Sequence, residues 1–307
     1  MSQADLAVVI VNYNTAELLA GCLSSLKEGG LDGLSARVWL VDNDSSDDSV
    51  ERARASFPDM EVIVNTANAG YAAANNRALV AAGFGPCPAV TPSEGPFRHA
   101  LLLNPDTVVP PGALARLVAL LEAEPDLGAV GPKLVLPDGR LDLACRRSFP
   151  TPEVSFYRFS GLSRLFPRSA RFGRYNLTHL DEDRPADVDA VVGACMLVRG
   201  AAIAAVGLLD EQFWMYGEDL DWCLRLHQAG WRVAYRPEVV VHHVKRAASR
   251  GSRRAAYEFQ RAMWLFYRKH YAATTPAPVG WLVQLGLAAR GGPALAREMW
   301  RSGAGRA

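Results

Sequence analysis

Two short polar runs carry residue types that can do chemistry. In the first, Leu101–Leu102–Leu103 runs into Asn104–Pro105–Asp106 and leaves through Thr107–Val108–Val109. A buried strand ending this way quits the core where Asn104 and Asp106 can turn two oxygen-bearing side chains toward a ligand. A carboxylate such as Asp106 suits a hard divalent cation, Mg²⁺ or Mn²⁺, or a water. Pro105 fixes its own φ and keeps Asn104 extended, so the turn is held; the same residue types also build ordinary turns. The second run, Gly217–Glu218–Asp219–Leu220–Asp221, opens a helical pattern through Trp222, Cys223, Leu226 and His227. Acids in a first helical turn complement its free amides and its dipole. Three carboxylates in four residues exceed what capping needs. Asp219 and Asp221 are two apart and do not share a helix face, so one can serve chemistry while the other braces the site.

The elements that must position these groups alternate. Leu6–Val11 is a short, continuous, β-branched apolar run, which predicts a strand buried on both faces. It ends in Asn12–Tyr13–Asn14–Thr15, where Asn14 or Thr15 can cap a helix carrying Leu18, Leu19, Cys22, Leu23 and Leu26. Arg37–Val41 predicts a second strand, ending in Asp42–Asn43–Asp44, and Val62–Val64 a third. Helical spacing over Ala72–Val80 then precedes the Leu101–Leu103 strand. Such alternation implies a mostly parallel sheet with helices on both faces, and in such sheets ligands sit beyond the carboxyl ends of the strands. Three strand ends in a row carry polar groups: Asn12/Asn14, Asp42/Asp44 and Asn104/Asp106.

Further along, 89–98 reads as an irregular insertion, 111–122 as a helix, and 131–142 as a strand and hairpin turning at Pro137–Asp138–Gly139. From Cys145 to Pro185 the period is lost while arginines alternate with aromatics, which predicts a mobile or ligand-facing segment over the sheet edge. Order returns with a strand over 188–199, in which Gly193 permits close backbone approach. Two short strands at 232–235 and 239–241 follow, the second running into His242–His243. Lys245, Arg246, Arg250, Arg253 and Arg254 form a basic cluster. It leads to a helix with Tyr257, Arg261, Trp264, Leu265 and Arg268, and then to a tail with Trp281, Leu282, Leu285 and Leu287.

Composition bounds the reading. A chain of 307 residues, half of them apolar, with formal net charge +1, is neither disordered overall nor a coat for a polyanion, so nucleic acid is not an expected partner. Five widely spaced cysteines without a CxxC pair argue against a disulfide framework and a cysteine zinc site, and point to a reducing cytosol. No apolar stretch reaches the roughly 20 residues that span a bilayer, and no signal-peptide pattern precedes the first strand.

Seven segments together resemble the inverting GT-A glycosyltransferases of family 2, nearest the bacterial rhamnosyltransferase-like members that build cell-surface polysaccharides. They are Val9–Asn14, Val41–Asp47, Asn68–Asn76, Leu103–Asp106, Gly193–Arg199, Tyr216–Asp221 and Pro237–His242, within roughly residues 6 to 270. The resemblance implies a GT-A α/β fold with a mixed acceptor-side extension. It divides the chain into a catalytic domain over 1–244, with a nucleotide-sugar half over about 1–110 and an acceptor half over about 111–244, and a basic, aromatic helical extension over 245–307. It implies that Asn12, Asn14, Asp42 and Asp44 hold base and ribose, and that Asn68, Gly70 and Asn75 line the nucleotide sugar. The usual Asp-x-Asp metal motif stands here as Asn104–Pro105–Asp106, so Asp106 would be the main carboxylate ligand to Mg²⁺ or Mn²⁺, with a weaker role for Asn104. His242 matches the late metal ligand, with His243 as the competing neighbour. Asp219 would be the base, with Asp221 next, for acceptor orientation, and Glu218 beside them.

The reaction so implied is hexosyl transfer with inversion, from a nucleotide diphosphate sugar, dTDP-L-rhamnose first among candidates, to a saccharide or a polyprenyl-diphosphate-linked saccharide. Peripheral contact with the inner membrane face through 245–270, and dimerisation, are compatible with it. A sugar-phosphate nucleotidyltransferase would need a Gly-rich basic loop after the first strand, and Asn12–Thr15 has none. A dehydrogenase would need GxGxxG there. A non-catalytic sugar-binding scaffold is invited by Asn104 and opposed by Asp106, Glu218, Asp219 and His242.

Overall fold

A computed structural model describes residues 3–85, 96–244 and 253–304. Most of the 89–98 insertion and the Lys245, Arg246 and Arg250 part of the basic cluster lie outside the described residues. The apolar runs become the strands β1 (Ala4–Asn12), β2 (Ala36–Asp42), β3 (Glu61–Val64) and β4 (Phe97–Leu103). Between them run the helices α1 (Ala16–Ser25), α2 (Ser49–Ser56) and α3 (Tyr71–Ala81). These four strands pair in parallel, β3–β2–β1–β4. Their register sets Asn12 beside Asp42 and Ile10 beside Leu103, so the three polar strand ends lie along one edge of the sheet.

The second half of the sheet is mixed. β5 (Thr107–Val108), β6 (Leu127–Val135), β7 (Ala186–Asp187), β8 (Cys195–Arg199) and β9 (Arg232–His243) extend the order to β3-β2-β1-β4-β8-β6-β9-β5, with β7 on β9. β8 is antiparallel to both β4 and β6, whereas β6 and β9 are parallel. α4 (Ala113–Ala123), α7 (Gly200–Val206) and α8 (Glu218–Gln228) cover it. Leu6–Ile10, Leu101, Leu102, Val130, Met196 and Val233 are fully buried in one continuous core.

Three local expectations change. The strand expected over 188–199 is confined to Cys195–Arg199. The preceding residues bend away because Gly131 lets Val191 pack against the backbone and Gly193 lies under Tyr71, where an added Cβ would sit 3.2 Å from the hydroxyl. The two strands expected at 232–235 and 239–241 form one strand, β9, with a register shift where Arg236 and Val240 pair with consecutive residues of β6. Pro237 falls in that irregularity, as a residue without a ladder donor should. The aperiodic stretch after Cys145 holds two short helices, α5 (Pro152–Phe159) and α6 (Leu162–Leu165). Its arginines and aromatics stack on one another: Arg158 over Tyr175 at 4.4 Å, and Phe172 edge-on to Tyr157 at 4.9 Å. Beyond β9, α9 (Arg253–His270) buries Trp264, Leu265 and Phe266 in the core, and α10 (Ala277–Ala304) packs on α9 and kinks at Gly292, ahead of Pro293.

Candidate active site

The ends of β1 and β2 are tied by short polar side chains. Asn12 is buried and donates through Nδ2 to Asp42 Oδ1 (2.9 Å) and Ser45 Oγ (3.1 Å), while Thr15 donates to Asn12 Oδ1 (2.6 Å). Asp42 also accepts from the Ser45 amide (2.9 Å) and is 1% exposed. Asp42 is therefore a brace of the loop, and of the pair Asp42/Asp44 it is Asp44, at φ 69°, that faces solvent. Asn14, also at positive φ, accepts from the Ser46 amide (2.8 Å). Asn43 reaches across to the next loop: its amide donates to Asn68 Oδ1 and the Gly70 carbonyl, and its Oδ1 accepts from Asn65 and the Ala69 amide.

Gly70 closes this loop. At φ +89° and with Trp214 O only 2.3 Å from where a Cβ would lie, it admits no side chain. The Tyr71 amide donates to that carbonyl at 2.6 Å, and Arg254 of α9 lies 3.8 Å over the Trp214 ring. Asn75 donates to Tyr71 O, and its buried Oδ1 has no protein partner.

At the end of β4, Asp106 is buried and its Oδ1 lies 3.3 Å from His243 Nε2. His243 Nδ1 is 3.0 Å from Asp142 Oδ2, a carboxylate buried completely. Burial opposes a charged ring there, but hydrogen bonds and charge from Asp106 and Asp142 outweigh it and raise the His243 pKa to about 9. His242 does not face this group: Val108 opposes His242 and Thr107 opposes His243, and only His243 is turned inward. Of the expected His242 and its competing neighbour His243, it is His243 that lies beside Asp106 and His242 that faces outward.

Among the described residues no three His, Cys, Asp or Glu side chains gather as a ready-made cage for an ion. The donor set nonetheless suits Mg²⁺ or Mn²⁺, which is commonly held by one or two carboxylates plus substrate phosphates. Asp106 would supply the hard oxygen and His243 the imidazole nitrogen. Asp142 stands where a carboxylate orients a ligating histidine through its other nitrogen.

The acidic run opens α8 as its pattern predicts, with Gly217 before it in the left-handed region. Its three carboxylates meet different surroundings. Asp219 accepts from Arg147 Nη2 (2.6 Å) and the Gly193 amide (3.2 Å) through Oδ2, and from the Leu220 amide (2.7 Å) through Oδ1. Burial disfavours a charged Arg147, yet Asp219 more than offsets it and raises the guanidinium's pKa. Glu218 is buried with Oε2 unpartnered, and burial, reinforced by the Asp219 charge, lifts its pKa to about 8. Asp221 is fully buried and joined to Arg225 (2.8 Å), Lys269 (2.7 Å) and His270 (2.7 Å), which fastens α8 to α9.

Tyr71 joins the two centres. Its hydroxyl donates to the Gly193 carbonyl (2.9 Å) and lies 3.3 Å from Asn104 Oδ1, while the Gly193 amide donates to Asp219. Its pKa stands well above the usual phenol value because of burial and then the charges of Glu218 and Asp219. Asp106 and Asp219 thus belong to one connected polar cluster. Tyr71, Arg147 and Asp142 were not singled out by their sequence context, although Tyr71 falls inside the Asn68–Asn76 segment.

The architecture is the GT-A fold. The chain is similar to the mannosyltransferase PcManGT of Pyrobaculum calidifontis, solved with GDP-Man and Mn²⁺, with a TM-score of 0.55 and 18% identity over 99% of this chain and 80% of that one. It is likewise similar to GalNAc-T7, solved with UDP, GalNAc and Mn²⁺, with a TM-score of 0.58 and 16% identity over 93% of this chain and 54% of that one. The chain belongs to glycosyltransferase family 2, whose profile, described as "Glycosyltransferase like family 2", matches residues 3–266. It is 29% identical to the N-acetylglucosaminyl-diphospho-decaprenol L-rhamnosyltransferase of Mycobacterium tuberculosis, over 93% of this chain and 91% of that protein. A second relative is the low-salt glycan biosynthesis hexosyltransferase Agl10 of Haloferax volcanii, 27% identical over 72% of this chain and 61% of that protein. The protein is a glycosyltransferase.

Proposed function

We propose that this glycosyltransferase moves L-rhamnose from dTDP-L-rhamnose, with inversion, to a polyprenyl-diphosphate-linked saccharide, assisted by a divalent cation. The observation that supports the reading is the run of contacts Asp106–His243, His243–Asn104, Asn104–Tyr71, Tyr71–Gly193 and Gly193–Asp219, which links a donor pair of the kind a cation takes to a separate carboxylate. The choice of rhamnose and of a lipid-linked acceptor is supported by the mycobacterial relative, whose name states both.

Inverting transfer is a single displacement. The acceptor hydroxyl oxygen bonds to the anomeric carbon as the bond from that carbon to the diphosphate oxygen breaks, and the hydroxyl proton passes to a base. Asp219 takes that proton in this scheme. Arg147 and the Gly193 amide hold the carboxylate in one orientation, so the base is positioned before the acceptor arrives. Burial, and then the Asp219 charge, raise the pKa of Glu218, which favours its protonated form beside the base. Asp106 and His243 would hold the cation, with Asp142 fixing the ring. When bound, the cation supplies Lewis-acid stabilisation of the departing diphosphate. Asp44 and Asn14, exposed at the β1 and β2 ends, would face base and ribose, and the Asn68–Gly70 loop the sugar diphosphate.

A panel of nucleotide sugars in a thermal-shift assay, with Mn²⁺ and with chelator, tests this reading, because ligands of the native state raise the melting temperature. dTDP-L-rhamnose with Mn²⁺ should give the largest shift. That shift should weaken in His243→Ala and persist in His242→Ala. A larger shift with GDP- or UDP-sugars would replace the donor, and equal shifts with chelator would remove the cation.

A further inference from the structure

Residues 271–289 contain no Asp, Glu, Lys or Arg, yet the half of α10 they form lies at the surface. Trp281, Leu282 and Leu285 are 73%, 69% and 66% exposed. With Pro278 and Ala289 they recur at helical spacing and so form one face. The opposite face is already used. Gly280 approaches Tyr267 of α9 so closely that a Cβ would lie 3.0 Å from its hydroxyl, and Leu287 is buried in the core. The helix is therefore apolar on both sides and packed on one.

Charge says what covers the other side. Residues 245–307 carry twelve Lys and Arg against two Asp and Glu, a net of +10. Residues 1–244 carry 21 against 30, a net of −9. The near-neutral chain is thus strongly polarised, and the uncharged stripe lies inside its cationic segment. Arg290, Arg297 and Arg301, on the same helix, are exposed.

We propose that α10 is the face by which this protein docks on an anionic lipid bilayer, with Trp281, Leu282 and Leu285 entering the headgroup boundary and arginines of the segment lying against lipid phosphates. Indole rings and leucines beside arginines suit that interface. No described helix is long and apolar enough to cross a membrane, so the contact is interfacial. A second copy of the chain fits less well. Two-fold pairing of this face would bring two segments of net +10 together, and like charges oppose that. The inference stands on exposure and charge, not on donor or acceptor identity, so its failure would leave the proposed transfer reaction untouched.

The experiment is co-sedimentation of the full chain with vesicles of phosphatidylglycerol and phosphatidylcholine, or of phosphatidylcholine alone. Binding should favour the anionic vesicles and fall away in 1 M salt, where the screening length shrinks to about 3 Å. It should weaken at least about tenfold in the double variant W281Q/L285Q, which withdraws two large apolar side chains from the contact. Fluorescence of the native chain should be quenched by vesicles of phosphatidylglycerol and brominated phosphatidylcholine, and less so in W281F; this second reading decides the matter if the double variant misfolds. No binding by the native chain, equal binding to both vesicle types, undiminished binding by a folded double variant, or quenching unchanged in W281F would each overturn the proposal. So would a native dimer in sedimentation equilibrium that the double variant dissolves without any vesicle binding.

Discussion

Asp219 and Glu218 are neighbours in sequence with opposite assignments, and the difference lies in what each carboxylate touches. Asp219 has a buried cation and two amides; Glu218 has one oxygen with no partner and a pKa of about 8. If Asp219 is the base, Asp219→Asn keeps the shape and one accepting oxygen, turns the other into an NH₂ donor, and removes the proton acceptor. Turnover at saturating donor and acceptor should then fall by roughly 10²–10⁴, the usual worth of a positioned acid or base. Donor affinity, read separately by calorimetry, should change only a few-fold. Near-normal turnover would reassign the role. The choice between the two histidines also belongs to this scale. Val239 and Val241 are buried and His242 is exposed, so period-two counting from the valines leads to His243. The register was not legible in the sequence, where Val239, Val240 and Val241 are alike. Nor was Arg147, because an arginine in an aperiodic stretch gives no sign that a carboxylate 72 residues later will meet it.

At the scale of elements, α8 and α9 are held together by a buried charge cluster around Asp221. Burial works against the Asp221 carboxylate, but His270, Lys269 and Arg225 more than compensate and lower its pKa from 3.8 to about 2. A carboxyl whose native pKa lies below its unfolded value contributes its full stability above the unfolded value and loses it as pH falls through the native one. The contribution should be intact near neutrality and drain away between about pH 4 and pH 2, amounting to roughly 2–3 kcal/mol for a shift of this size. Urea denaturation of the native chain and of Asp221→Asn across that interval measures it. The native chain should lose the extra stability and the variant should not. Parallel curves would mean that another group carries the acid sensitivity. The contacts of Asp221 run to Arg225, Lys269 and His270, and those of Asp219 to Arg147 and two amides.

For the whole molecule, the parts legible in the sequence are those governed by local periodicity: the β1–β4 strands, the helices between them and the polar ends on one edge. Illegible were the parts decided by long-range partners. The 188–194 bend depends on Gly131 and Tyr71, and the ordered helices after Cys145 depend on stacked arginines. The role of α9 is of the same kind. Its basic composition reads as an appendage after residue 244, but Trp264, Leu265 and Phe266 are core residues, and Lys269 and His270 meet Asp221. The family profile likewise runs to residue 266. A chain ending at 244 would leave Asp221 with Arg225 as its remaining partner of the three and open the core where Phe266 sat. Removing partners from a buried charge costs about 3–5 kcal/mol and losing a buried Phe a further 3–5, against a whole-domain stability of about 5–15 kcal/mol. That chain should not fold. A chain ending at 275 keeps all of α9 and loses Leu287, Leu295 and the Arg261–Glu298 pair (2.9 Å), so it should fold with a lower melting temperature. Circular dichroism melts of the two truncations decide it, and a cooperative transition from the shorter one would make α9 a separable extension after all.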